Sequence, residues 1–318
     1  MRLTRPNRSL GKFGVAVSAV LIAFLATGCA ASHTTVVRPS GAPQPLLVAT
    51  KQDLVERYNH QAQSVTSLNA GVTMTLTAGS AYTGVIKQYH EINGFILAQR
   101  PASIRVIGQA PVVGTNIFDM VSDGETFHIF IPSQHRFITG PASLQRQSAK
   151  PIENLRPQHL TGAIFWDSIP DRAPLLIEEA ADESTRYYVL TVVRAAGPSD
   201  LAVGASTADA AADWEIAQRI WFDRADLSVA RVQTYEPAGK LGSDVSYSLW
   251  GVFGTVSYPR QITLSRPDND YKLRIGVKKV TFNETISAER FVLQQPPGTE
   301  LVNAGEDSQQ TKPGEQKP

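Results

Sequence analysis

A mainly β fold with helices, built on one large, mostly antiparallel sheet, is what the sequence predicts. Three observations carry that prediction. From Leu68 onward apolar and polar residues alternate with period two, as in Leu68, Ala70, Val72, Met74 and Leu76, the pattern of a strand with one face on a core and one in water. Asn93-Gly94 and Asp123-Gly124 are dipeptides that tight hairpin turns favour. Helical spacing is confined to one stretch ahead of the strands and one insertion among them, so the helices plug the sheet rather than alternate with its strands.

The leading helix is expected over Leu46 to Ser64. Leu47, Leu54, Tyr58, Ala62 and Val65 recur at helical spacing, with Lys51, Asp53, Glu56, Arg57 and Gln61 between them, which is an amphipathic pattern. Both signs of charge on the polar face assign it to its own domain rather than to lipid. Strands follow at Leu68–Leu76, Tyr82–His90, Phe95–Arg100, Ile104–Gln109, Ile117–Ser122, Phe127–Ile131 and Arg136–Thr139. A second series is expected at Tyr187–Val193, Trp214–Phe222, Val229–Tyr235, Val245–Val252, Arg260–Leu264, Tyr271–Phe282 and Glu289–Gln294. Residues 141–182 lose the alternation and carry Leu155, Leu160, Ile164, Phe165, Trp166 and Ile169, which predicts one or two short helices packed on the sheet. Residues 195–212 are small and glycine- and proline-punctuated, a loop between strands. No internal repeat is evident.

The chain begins with Arg2, Arg5, Arg8 and Lys12 and then runs apolar from Phe13 to Ala26, the charge order of a signal peptide and too short to span a bilayer comfortably. It ends in Leu25-Ala26-Thr27-Gly28-Cys29, where Cys29 is the single cysteine. That run resembles the lipobox of bacterial lipoproteins and implies cleavage after residue 28, a diacylglyceryl thioether on Cys29 and a further N-acyl chain. Several acyl chains together anchor firmly. Ala30 is not an acidic retention signal, which places the anchor at the outer membrane, with the periplasmic face of the inner membrane as the alternative. Residues 29–45, rich in small residues and proline, read as a tether; 46–297 read as the folded domain and 298–318 as a disordered tail.

The full chain holds 30 Lys+Arg and 29 Asp+Glu. Without the four leader cations the balance is 26 against 29, close to neutral, and export together with this balance argues against nucleic acid. A body without a second cysteine is held by burial and backbone pairing, not by disulfides.

Catalytic patterns are absent. There is no Gly-x-Ser-x-Gly, no His-Glu-x-x-His and no phosphate-binding glycine loop. The six histidines are scattered, and the closest pair, His128 and His135, is separated by Pro132, so no metal or cofactor is expected. Asp123 reads as the turn residue of Asp123-Gly124, its side chain accepting backbone N–H groups. Two unrelated roles remain beside binding: a structural or interaction lipoprotein with a filled core, and a hydrolase using carboxylates that converge only in space.

A curved sheet that one helix covers in part leaves an apolar concavity for a hydrophobic guest. The residues expected to line it are Met74, Ile86, Phe95, Ile104, Val106, Phe118, Phe127, Ile129 and Phe137, with Arg100 and Arg105 at its mouth.

Arg100-Pro101-Ala102-Ser103-Ile104-Arg105 and Val121-Ser122-Asp123-Gly124 through Pro132 carry a family likeness. With the preceding helix and strand pair, they resemble the LolA/LolB-like superfamily of bacterial lipoprotein carriers and receptors. Trp221-Phe222-Asp223 through Arg231-Val232, and Phe291 to Pro297 as a final strand before paired prolines, extend the likeness over 46–297. The resemblance implies that the sheet curves into an unclosed half-barrel, of about eleven strands and plugged by helices, whose concave face accepts acyl chains. It implies a non-enzymatic, outer-membrane-anchored protein that binds acyl chains or another amphiphile in lipoprotein or lipid transport, with envelope proteins as further partners. Inserts near 141–182 and 195–212 depart from the family. The receptor's protruding apolar loop has its nearest counterpart at Ala78-Gly79-Ser80-Ala81, which is not strongly apolar.

Overall fold

The computed structural model describes residues 45–79, 86–144, 154–196 and 213–304. The leader, Cys29, the tether up to residue 44 and most of the 195–212 loop lie outside these residues.

Helix α1 spans Lys51–Ser64. It starts later than the periodicity suggests because Thr50 caps it: the Thr50 hydroxyl accepts from the Asp53 N–H at 3.2 Å and the Asp53 carboxylate accepts from the Thr50 N–H at 2.8 Å. This reciprocal pair satisfies two N–H groups that a helix start leaves open. Leu46 to Val48 ahead of the cap have no regular structure and are exposed.

Among the described residues fifteen strands form one sheet. In the first half they are β1 (Ser67–Ala78), β2 (Lys87–Gln88), β3 (Ile92–Gln99), β4 (Ser103–Gln109), β5 (Asn116–Ser122), β6 (Thr126–Ile131) and β7 (Arg136–Pro141). Helix α2 (Pro157–Ile164) separates them from β8 (Leu175–Ala181), β9 (Arg186–Ala195), β10 (Trp214–Asp223), β11 (Val229–Tyr235), β12 (Leu241–Phe253), β13 (Val256–Arg266) and β14 (Tyr271–Phe282), and β15 (Glu300–Asn303) closes the series. The spatial order is β15-β7-β6-β5-β4-β3-β1-β14-β13-β12-β11-β10-β9-β8, with β2 beside β1. From β3 to β7 and from β8 to β14 each strand pairs with its sequence neighbour, giving two antiparallel meanders joined where β1 lies between β3 and β14, and β15 adds in parallel to β7. The end strands β15 and β8 do not pair with each other, which leaves the curved sheet an unclosed half-barrel.

Three expectations need correction. The described residues of 141–182 supply one helix, α2, but also the edge strand β8. Glu289–Gln294 is not a strand; Ala288–Phe291 forms a short 3-10 turn. The last strand lies instead in the segment assigned to the tail, where Glu300–Asn303 pairs parallel with Arg136–Thr139. Of Tyr82–His90, only Lys87–Gln88 is a strand among the described residues.

Both helices pack on the inner face of the sheet. Leu54 and Tyr58 of α1 have no exposed surface, and Tyr58 stacks on Trp166 with ring centroids 5.3 Å apart. Arg57 donates to the carbonyls of Leu227 and Asp226, and Gln61 to that of Ser257, fixing α1 over the second half of the sheet. Below α2, the Tyr258 hydroxyl donates to the Ile164 carbonyl. Aromatic side chains with a polar tip suit this layer, since each buries a wide ring and still finds a partner for its donor.

Candidate functional site

The plug stops short of one end of the inner face. There an apolar groove of about 250 Å³ is lined by Met74 and Leu76 of β1, Ile92 of β3, Ile117 and Phe118 of β5, and Leu273 of β14. Leu155, just ahead of α2, forms its inner wall, and Tyr89 and His90 stand at its side. Two glycines make the space. A Cβ on Gly94 would lie 2.7 Å from the Ile107 carbonyl oxygen, and one on Gly108 2.6 Å from the Phe118 ring. Met74 and Phe118 therefore lie down onto the sheet where a larger neighbour would push them up into the groove.

Behind Leu155 the inner face turns polar and buried. The Arg156 guanidinium sits 4.6 Å over the Phe127 ring, and His159 Nδ1 is 2.8 Å from the Tyr271 hydroxyl. Burial first, then the positive charges of Arg266 and Arg156, hold His159 down to a pKa of about 3. His159 is therefore a neutral hydrogen-bonding member of the core at any physiological pH.

Of the residues expected to line a cavity, Met74 and Phe118 stand at the groove. Ile104, Val106, Phe127 and Ile129 face the same interior but are closed over in the general core. Phe95, Phe137 and Ile86 are corrections. Phe95 stands opposite Gly71 and Ile107 and is 44 % exposed on the outer face; its inward neighbours are Gly94 and Ile96. Phe137 is buried but points outward, stacked on His128 at 5.5 Å, while Ile138 takes the inward place. Ile86 is 65 % exposed and outside the groove lining.

Neither arginine guards the groove. Arg100 donates to the carbonyls of Ala62, Val65 and Trp166 and lies 5.0 Å over the Phe165 ring. It ties off the C-terminal end of α1, whose last carbonyls lack helical partners, and it sits at the Ser67 end of β1, away from Leu76. Arg105 alternates outward between the inward Ile104 and Val106. There it forms a two-pronged pair with Asp119, at 3.0 and 2.7 Å, and donates to the Arg290 carbonyl. The Asp123-Gly124 turn is as expected: one Asp123 oxygen accepts from the N–H groups of Glu125 and Thr126 at 2.8 Å, which lowers its pKa, and Gly124 has φ +99°. Pro132 opens a short 3-10 turn at the end of β6.

Of the loop position expected at Ala78–Ala81, Ser80 and Ala81 fall outside the described residues, and an exposed apolar tip stands elsewhere. It is the turn between β4 and β5. Val112 is fully exposed and Val113 70 % exposed, and Val112 has φ +75°, a conformation a β-branched residue adopts only under strain. Gln109 stands opposite both Asn93 and Asn116, which puts this tip at the same end of the sheet as Ile92 and Ile117 of the groove. Pro111-Val112-Val113-Gly114 was the available sequence signal. The other groove residues that sequence reasoning missed divide in two: Leu76 and Ile92 follow strand alternation, whereas Ile117 enters through the register shift opposite Gly108 and Gln109, and Leu155 and Leu273 arrive only through the tertiary fold.

Among the described residues no three His, Cys, Asp or Glu side chains are grouped to hold a metal ion, and no helix is long and apolar enough to cross a membrane. No family model matches the sequence, and no curated protein matches it. The chain is similar in fold to several solved structures. One, a LolA superfamily protein from Nitrosomonas europaea, is 13 % identical with a TM-score of 0.45, over 77 % of this chain and 99 % of that one. A DUF1329 family protein from Desulfovibrio piger is 13 % identical with a TM-score of 0.46, over 76 % and 95 %. A putative outer membrane lipoprotein-sorting protein domain from Vibrio parahaemolyticus is 10 % identical with a TM-score of 0.40, over 74 % and 97 %. What the groove can hold rests on its own residues.

Proposed function

We propose that this protein is a lipoprotein, anchored at the outer membrane through acylated Cys29, that binds an acyl chain or another amphiphile with a narrow apolar tail and serves lipid or lipoprotein transport without catalysing a reaction. The observation that carries the reading is the groove between Met74, Phe118 and Leu273, an apolar space left open at one end of an otherwise plugged half-barrel. Each methylene it takes from water is worth about 0.8 kcal/mol, so affinity follows the length of tail accommodated. The exposed Val112 and Val113 at the same end give the groove an apolar approach to lipid.

A second reading is a structural or interaction lipoprotein of an envelope complex. The filling of most of the concavity by Tyr58, Trp166 and Tyr247 favours it. Uptake of a fluorescent fatty acid by the purified protein separates the two. Saturable uptake that Met74→Glu abolishes, with a co-purifying amphiphile in native mass spectra, supports binding. No uptake and no bound amphiphile would leave the structural reading. The mass of the N-terminal peptide from membrane-extracted protein tests acylation of Cys29.

A further inference from the structure

The groove end has a second face. Inward residues of β1 and β14 line the groove, and their outward neighbours form a surface of different chemistry. The register aligns Ser265, Lys272, Thr77 and Gln88 in one row across β13, β14, β1 and β2. Thr263, Arg274 and Thr75 form the next, and Gln261, Gly276, Thr73 and Asn93 the one after. Every side chain in these rows is neutral or positive. Lys272, Arg274, Lys278 and Lys279 follow one another along β14, all exposed, and Lys278 reaches Asn93 at 3.0 Å. At about 3.3 Å per residue, Lys272 to Lys279 spans roughly 23 Å.

The acids that border these rows or lie elsewhere on the outer face are matched by arginines: Asp244, opposite Ser265 on β12, by Arg231, and Asp119 by Arg105. Lys272 and Arg274 have no carboxylate within ion-pair distance among the described residues. Arg274 instead borders a polar pocket of about 360 Å³ with Thr75, Gln88, Tyr89, His90 and Glu91. Tyr89 and His90 also flank the apolar groove, so polar pocket and groove adjoin across the same two residues. Glu91 is the single acid at the pocket, and Asp270 lies beyond Lys272 in the β13–β14 turn.

We propose that this outer face, with Arg274 and Lys272 at its centre and the 278–279 lysines at its side, docks the protein on the phosphate headgroups of an anionic membrane. Charge complementarity argues for that occupant. A hydroxyl-rich sheet face with a line of cations that no carboxylate pairs matches a surface of phosphates, and each such cation adds to the attraction of an anionic membrane. Docking there holds the groove end and the Val112–Val113 tip at the lipid. The tether and Cys29 then set how far the protein reaches, and the basic face sets which end faces the bilayer. This does not depend on the groove being filled.

The test uses the full chain with Cys29→Ala, so that no acyl group masks the effect, and flotation with vesicles of phosphatidylcholine alone or with 30 % phosphatidylglycerol. Binding is expected at least tenfold stronger to the anionic vesicles, removed by 0.5 M salt, and reduced about tenfold by the Lys272→Glu/Arg274→Glu double substitution. Fatty-acid uptake by that variant should be unchanged, which shows that it is folded. Equal binding to both vesicles, or anionic binding that the double substitution leaves intact, would overturn the proposal. So would binding of inorganic phosphate at millimolar concentration without vesicle association, the mark of a free-anion site. Loss of fatty-acid uptake in Met74→Glu with vesicle binding retained would separate this surface from the groove.

Discussion

The indole N–H of Trp166 donates to the Tyr247 hydroxyl at 2.8 Å, and that hydroxyl donates to the Ala163 carbonyl at 3.1 Å. One ring from the segment after α2 and one from β12 thus hold the plug to the sheet. Trp166 also stacks on Tyr58 of α1 and meets Trp250 edge-on. Trp166→Phe should cost about 1–3 kcal/mol, the loss of a buried hydrogen bond with its acceptor left unmatched. Trp166→Ala should cost about 3–5 kcal/mol through the cavity it opens. Urea midpoints for the two variants measure the difference.

Gly108 controls groove depth. Gly108→Ala puts a methyl against the Phe118 ring, and the ring must move toward the groove. Fatty-acid affinity should fall several-fold, at a stability cost of about 1–3 kcal/mol for overpacking. A titration with fluorescent fatty acid beside a thermal melt reads both; unchanged affinity would show that the tail does not pass Phe118.

Arg105 and Asp119 brace the outer face. Asp119→Ala should destabilise by about 1.5–3 kcal/mol, the range for hydrogen bonds to a charged group, and leave fatty-acid uptake untouched. A loss of uptake without a loss of stability would return Arg105 to the mouth of the groove.

His159 makes stability depend on pH. Its folded pKa of about 3 lies below the unfolded value of about 6.5. Below pH 6.5 the unfolded chain takes up a proton that the native state refuses. Stability from this group is therefore whole above pH 6.5 and falls toward pH 3, by at most about 1.4 kcal/mol per pH unit. Denaturation midpoints from pH 7 to 4 should decline less steeply in His159→Asn than in the parent.

The strands were legible because one face of each is buried and the other wet. Facing was lost where that contrast failed. Phe95-Ile96-Leu97 and Phe137-Ile138 place apolar residues on both faces, and shifting the period by one exchanges the two sides. The outward sites are apolar for local reasons: Leu97 is nearly buried and Phe137 has His128 to cover. Arg100 and Arg105 were legible as strand-end charges but not as to which end or face, since the helix terminus and Asp119 that hold them are brought there by the fold. The groove needed Leu155 and Leu273, which no local pattern connects to Met74.

The pairing of β1 with β14 has a kinetic meaning. Leu68 stands opposite Phe282 and Ala78 opposite Tyr271, partners roughly two hundred positions apart, whereas β3 to β7 and β8 to β14 each find their partner next along the chain. The two meanders can form early; the seam between them waits for the C-terminal strands and a long loop closure. Ladders of such wide sequence separation form slowly, and until this one does, both halves show an open edge and an uncovered apolar face, the conditions for aggregation. Weakening the seam should therefore surface first as poor yield of the newly made chain, before any defect in the mature protein's stability.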